Sequence, residues 1–112
     1  MKPHRRHLRT ESISSASEGV AVSPGRGVLH LITTDGDQDA NVVTLADGVA
    51  GDRHVFLIVV VGNANDDLEV TPANINGGDK VDFADPAVGD YCELVFQGAN
   101  WFLLGTEGGS LA

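Results

Sequence analysis

The stretch that decides the fold is RHVFLIVVV, residues 53–61. It is apolar almost without interruption and rich in β-branched side chains, which favour strands. A strand whose sequence is continuously apolar typically has both of its faces covered. In so small a domain we expect neighbouring subunits to help cover it, which predicts an oligomer interface. The predicted interface residues are Val55, Leu57, Val59 and Val61.

Short apolar runs separated by turn residues extend this pattern in both directions along the chain. They cover residues 20–22, 28–33, 41–45, 68–71, 80–83, 91–97 and 101–104. Glycine, with 14 of 112 residues, is concentrated in the breaks between them. This texture predicts an all-β domain over residues 20–112, a small antiparallel β-sandwich or barrel. The short Gly/Asn link between the last two runs predicts that they form a hairpin.

The first 19 residues lack this pattern. Basic residues precede a serine-rich stretch that has too few apolar side chains to offset the entropy of ordering. We therefore expect residues 1–19 to form a flexible, extended N-terminal arm. The charge is divided in the same way, because residues 1–11 carry +3 and the other 101 residues carry −12, for a total of −9.

Neither a nucleic acid nor a membrane is expected as a partner. The strongly acidic body argues against binding of nucleic acid. The longest apolar run is far too short for a membrane helix. The basic start of the chain runs into polar residues rather than into the apolar segment of a signal peptide.

The candidate metal ligands do not form a recognisable site. His4 and His7 lie in the arm, while His30 and His54 stand singly in separate runs, where half-buried side chains are usual. The turn DGDQD, residues 35–39, alternates acids as a calcium loop does, but it lacks the Gly and Glu that an EF-hand needs at its sixth and twelfth positions. We interpret it as a solvated turn and expect no metal. A calcium site of another kind, made with acids from other loops, stays open.

No pattern indicates an enzyme or a cofactor. Cys92 is the single cysteine and lies in an alternating run, which is typical of a buried structural thiol. The chain has neither a Gly-x-Ser-x-Gly elbow nor a Gly-x-x-x-x-Gly-Lys phosphate loop. The aromatic residues Tyr91, Phe96, Trp101 and Phe102 suit a sugar-binding platform, but filling the core is the more economical interpretation.

A series of turn motifs within residues 41–105 carries a resemblance to a known class of proteins. The motifs are VTLADG (43–48), VTPANINGG (70–78), VGD (88–90) and LVFQGANW (94–101). Their order resembles that of β modules from the virions of tailed bacteriophages, above all capsid decoration (cement) proteins and also fibre-associated domains. The resemblance implies a virion part that is often trimeric and has no enzymatic activity.

We accordingly expect a homotrimer on the capsid exterior of a virion, synthesised in the host cytoplasm and bound to the major capsid protein. The arm is the predicted attachment, with basic side chains on capsid carboxylates and apolar ones in grooves. The predicted capsid-contact residues are Lys2, Arg5, Arg6, Leu8, Arg9 and Ile13. One alternative is a receptor-binding or tail-fibre-tip module that contacts host surface glycans or proteins. Another is a calcium- or sugar-binding accessory domain of an enzyme.

Overall fold

The computed structural model describes residues 8–14, 20–34, 36 and 40–112. Its ten strands are β1 (Arg9–Ser14), β2 (Val20–Val22), β3 (Gly27–Thr33), β4 (Ala40–Leu45), β5 (Arg53–Val60), β6 (Asp67–Pro72), β7 (Val81–Phe83), β8 (Tyr91–Gln97), β9 (Asn100–Glu107) and β10 (Ser110–Leu111). Within these described ranges the chain contains no helix.

The strands form two five-stranded sheets that pack face to face. Their strand orders are β1-β3-β5-β8-β9 and β10-β7-β6-β4-β2. Both sheets contribute to one hydrophobic core, with Phe56 and Leu94 from the first sheet and Val43 and Val81 from the second. Buried and partly exposed residues alternate along the strands, as the period of a half-buried strand requires. The predicted all-β sandwich is confirmed.

The two halves of the chain pair their strands differently. In the N-terminal half, β1, β3 and β5 run parallel in one sheet, and β2, β4 and β6 run parallel in the other. The reason is that the chain crosses to the opposite sheet after each strand and re-enters each sheet in the same direction. The expected antiparallel pairing holds for the C-terminal strands β7 to β10, including the predicted β8–β9 hairpin.

The segment Arg9–Ser14 corrects the expected extent of the arm. It forms β1, which pairs in parallel with β3 at the edge of the first sheet. Ile13 is only 7% exposed and belongs to the core, and Leu8 packs over Gly27, where an added Cβ would lie 3.0 Å from Leu8 Cδ2. The strand was missed because β1 has a single apolar residue, so its own pattern is weak and the neighbouring strand supplies the pairing. Residues 1–7 and 15–19 of the predicted arm lie outside the described residues.

A buried carboxylate joins the loops that follow β3 and β5. Asp66 Oδ2 accepts hydrogen bonds from Thr34 Oγ1 at 2.7 Å and from the backbone N–H groups of Gly36 and Asn63 at 3.0 Å each. Thr34 Oγ1 in turn accepts from the N–H of Gly62 at 2.8 Å. A Cβ at Gly62 would lie 2.7 Å from the Thr34 carbonyl oxygen, so the close approach of the two loops requires glycine there.

Candidate functional site

The outer face of the first sheet carries apolar side chains. On β5, His54, Phe56 and Ile58 point into the core, so the alternate residues lie on the opposite side of the sheet. These include Val55 and Leu57, both partly exposed. The second sheet packs against the inner face and does not cover them.

The neighbouring strands extend this face on both sides of β5. Leu57 lies between Leu31 of β3 and Tyr91 of β8, and Val95 of β8 pairs with Phe102 of β9. We call the set the outer apolar face. Its members, all partly exposed, are Leu29, Leu31, Val55, Leu57, Val59, Tyr91, Val95 and Phe102. A contiguous exposed apolar surface is characteristic of an interaction site.

Polar groups border and cross the outer apolar face. Arg53 and Glu93 form an ion pair on it, and Thr10 and Ser12 of the edge strand β1 are exposed beside it. Glu107 is exposed at the opposite edge, on β9. An apolar centre with a polar rim is the usual anatomy of a protein interface.

One residue of the predicted oligomer interface lies elsewhere. The structure places Val55, Leu57 and Val59 on the outer apolar face, whereas Val61 packs against the core. The cause is a register shift, because Ile32 pairs with Ile58 but the next residue, Thr33, pairs with Val60. The irregularity reverses the side of the sheet on which the following residue lies, and sequence alternation alone did not indicate it.

Two histidines form a buried pair on the inner face of the same sheet. His30 Nε2 and His54 Nδ1 are 2.7 Å apart, and both side chains are fully buried. The Gly25 N–H donates to His54 Nε2 at 3.3 Å. His54 therefore carries its proton on Nδ1 and donates it to His30 Nε2, so neutral His30 must carry its own proton on Nδ1.

Aromatic rings enclose the histidine pair. His30 stacks on Phe56 with a centroid distance of 4.5 Å, and Trp101 meets His54 edge-on at 5.4 Å. Burial, followed by the charges of His54 and Arg9, lowers the pKa of His30 from 6.5 to about 4. Burial also lowers the pKa of His54, against a partial offset from the carboxylates of Asp52 and Glu11. Both rings are therefore neutral at neutral pH.

The Nδ1 atom of His30, the remaining ring nitrogen of the pair, faces the edge strand β1. Among the described residues, His30 Nδ1 has no hydrogen-bond partner, and Glu11 Oε1 lies 3.9 Å away. Glu11 is engaged by Arg9, with 3.0 Å between Arg9 Nη2 and Glu11 Oε2. Arg9, Glu11 and Ile13 also line a cleft of about 320 Å³ between β1 and β2. Glu11 therefore both lines this cleft and faces the buried Nδ1 of His30.

The pairing of His30 with His54 corrects the expectation of two isolated, half-buried histidines. Sequence reasoning missed it because the residues are 24 positions apart and meet only through the parallel pairing of β3 with β5. A signal was present in each strand. His30 alternates with Val28 and Ile32, which marks a core-facing position.

The C-terminal hairpin divides its aromatic residues between the core and the outer face. Trp101 and Phe96 are buried, and Trp101 Nε1 donates to the Ala46 carbonyl at 3.1 Å. Tyr91 and Phe102 lie on the outer apolar face. The core-filling interpretation is thus confirmed for two of the four aromatic residues, and these two are unavailable to a sugar.

The single cysteine is buried, as its pattern predicted. Cys92 lies on β8 in the core, where burial raises its thiol pKa to about 12. A nucleophilic cysteine reacts as the thiolate, so Cys92 is inert at neutral pH in the folded protein.

The described ranges contain no group of three or more His, Cys, Asp or Glu residues placed to hold a metal ion. His4 and His7 lie outside the described residues, as do the acids Asp35, Asp37 and Asp39 of the predicted turn. No helix in the part of the chain that the structure describes is long and apolar enough to cross a membrane.

Comparison with protein-family models, with curated proteins and with solved structures finds no match to this chain.

Proposed function

We propose that this protein is a non-enzymatic structural component of a tailed-bacteriophage virion, which decorates the capsid exterior as a homotrimer. The observation that carries the proposal is the outer apolar face, a sheet surface that a monomer leaves open to water. The identity of the particle rests on the turn motifs within residues 41–105, which resemble those of capsid decoration proteins.

The dimensions of the outer apolar face suit an interface between copies of the chain. Five strands about 4.8 Å apart, each about six residues long at 3.3 Å per residue, span roughly 500 Å². Three such faces together remove roughly 1,500 Å² of surface from water, about 500 Å² at each of the three contacts in a ring. In a closed threefold ring each subunit contacts two neighbours, so the apolar side chains are shared around the axis.

Attachment to the capsid is assigned to the basic residues at the start of the chain. Lys2, Arg5 and Arg6 supply positive charge beside an acidic body. They can pair with carboxylates of the major capsid protein, and each exposed pair contributes only about 0.2–1 kcal/mol. Three copies per trimer multiply such weak contacts through effective concentration. Leu8, Arg9 and Ile13 are withdrawn from the proposed contacts because they belong to β1 or pack beside it.

The test uses purified protein and phage heads that lack it. We expect the full chain to co-sediment with heads as a trimer. A chain from which residues 1–7 are deleted should remain trimeric, because β1 and the outer apolar face are intact, yet lose at least tenfold in head binding. A matched control replaces Lys80 with Gln, which removes one positive charge from the body and should leave head binding unchanged. Equal head occupancy by the deleted chain contradicts attachment through residues 1–7.

A receptor-binding or tail-fibre-tip module is the alternative, favoured by the partly exposed Tyr91 and Phe102 on the same face. Aromatic rings at such positions stack on sugars. Mass spectrometry of separated heads and tails distinguishes the two functions, since the decoration protein is expected with heads and a fibre-tip module with tails only.

A further inference from the structure

His30 lies directly beneath an edge strand. In the parallel register of β1 with β3, Glu11 pairs with His30, so β1 separates the buried ring from the polar edge of the sheet. The ring is 0% exposed, and its Nδ1–H donor has no partner among the described residues. A buried unpaired donor is unfavourable, and solvation of the ring removes that cost.

The histidine pair has no position for an additional proton. A second proton on His30 resides on Nε2, where it meets the Nδ1–H of His54 at 2.7 Å. A second proton on His54 resides on Nε2, where it meets the Gly25 N–H at 3.3 Å. In either case two donors face each other, so protonation breaks a hydrogen bond inside the core.

The surrounding charges only partly compensate a cation at this position, because Arg9 opposes the carboxylates of Glu11 and Asp52. Arg9 on β1 repels it, and Glu11, the carboxylate that faces His30, is engaged by Arg9 and lies beyond hydrogen-bond distance at 3.9 Å. His54 on β5 is its other titratable neighbour. Asp52, before β5, acts on His54 and is occupied by a hydrogen bond from the Val49 N–H at 3.0 Å.

Among the strands that bury His30, β1 is the one that can detach with the least loss of packing. It is an edge strand with a neighbour on one side only, and Ile13 is the only one of its six residues that is buried. The remaining strands around His30, including the central β5, contribute the residues of the hydrophobic core. Local opening of a marginal edge costs less free energy than global unfolding.

We propose that acidification opens β1 away from β3, with His30 as the group that takes up the proton. The opened state hydrates the ring and uncovers the backbone N–H and C=O groups along the β3 edge, which makes that edge available for pairing with another strand. The rest of the sandwich stays folded.

The sign and size of the effect follow from linkage. The pKa of His30 is about 4 when β1 is closed and returns toward 6.5 when the ring is solvated. Between these values the open state binds more protons, so opening becomes more favourable as the pH falls from 6.5 toward 4. From pH 7.5 to pH 4.5 the equilibrium constant for opening rises on the order of 50-fold.

Hydrogen exchange of the full chain measures this directly, as protection factors corrected for the intrinsic pH dependence of exchange. We expect peptides that cover β1 and the paired side of β3 to lose protection on the order of 50-fold between pH 7.5 and pH 4.5. The β8–β9 hairpin should keep its protection. The proposal is overturned if β1 protection does not change with pH, or if β1 and the hairpin lose protection together.

Two variants assign the proton to its acceptor. His30→Gln keeps an acceptor for His54 Nδ1–H but does not titrate, so β1 protection should become independent of pH. Glu11→Gln removes the neighbouring carboxylate and keeps His30, so the pH dependence of β1 protection should persist. If the pH dependence is lost in this variant, Glu11 is the group that takes up the proton, and the proposal is contradicted.

If His30→Gln does not fold, the ring nitrogens of wild-type His30 are titrated by NMR. Protonation of His30 without a change in the β1 amide signals then rejects the coupling.

Discussion

Thr34 shows how much of this sandwich depends on single polar contacts between loops. Its hydroxyl donates to the buried carboxylate of Asp66 at 2.7 Å and accepts from the Gly62 N–H at 2.8 Å. The side chain is only 2% exposed, so water does not replace these bonds. One oxygen atom therefore connects the loop after β3 with the loop after β5.

Replacing Thr34 by Val tests this role with almost no change of shape. The variant leaves the Gly62 N–H without its acceptor and removes one donor from Asp66, and we expect a loss of about 1–3 kcal/mol in the free energy of unfolding. The control is Thr33→Val, next to it on the partly exposed side of β3, where the change should stay within about 0.5 kcal/mol. Urea denaturation of both variants gives the comparison, and equal midpoints contradict the assigned role.

At the scale of the element, β5 is the strand on which both faces of the first sheet depend. Its inward residues build the core, and its outward residues lie at the centre of the outer apolar face because β5 is the middle strand of the sheet. The apolar run of residues 53–61 therefore contributes side chains both to the core and to the outer apolar face. Leu57 is the sharpest probe of the outer one, since Leu31 and Tyr91 flank it.

Leu57→Lys should dissociate the proposed trimer without unfolding the subunit. A buried ammonium without a partner is strongly unfavourable in an apolar interface, whereas in the free monomer it reaches water. The matched control is Val88→Lys, which adds the same charge at a loop residue that is 67% exposed. Sedimentation velocity should show a monomer for the first variant and a trimer for the second. A trimeric Leu57→Lys protein excludes the outer apolar face as the interface.

The whole molecule combines an acidic body with a basic start, and we expect the proposed contacts of these two parts to respond to salt in opposite ways. Residues 12–112 carry a net charge of −12, and residues 1–11 carry +3, so copies of the body repel each other. Association through apolar side chains must overcome this repulsion. The proposed attachment through Lys2, Arg5 and Arg6 instead depends on attraction between opposite charges.

Raising the salt concentration from about 0.01 M to about 1 M shortens the screening length from about 30 Å to about 3 Å. We expect the trimer to become more stable over this range, measured as a lower dissociation constant by sedimentation equilibrium. Binding of the protein to heads should weaken over the same range. A trimer that dissociates at high salt is held by ion pairs rather than by the outer apolar face.

The sequence alone determined the strands β2 to β9, the turns between them and the C-terminal hairpin. Alternation of side chains and the chemistry of Gly, Asn and Asp in turns are local properties, so runs such as residues 28–33 and 91–97 predicted β3 and β8 closely. The buried position of Cys92 followed from the same alternation. These features depend on residues a few positions apart, and a single chain displays them directly.

Only the tertiary structure decided how the strands are joined and which side chains meet. The parallel winding of β1 to β6, the place of β1 in the sheet, the shift of Val61 toward the core and the His30–His54 hydrogen bond were not foreseen. Each arises from pairing between strands that are separated by a crossing to the opposite sheet. The free energy of such pairing comes from contacts distant in sequence, and no local pattern encodes which two strands will lie side by side.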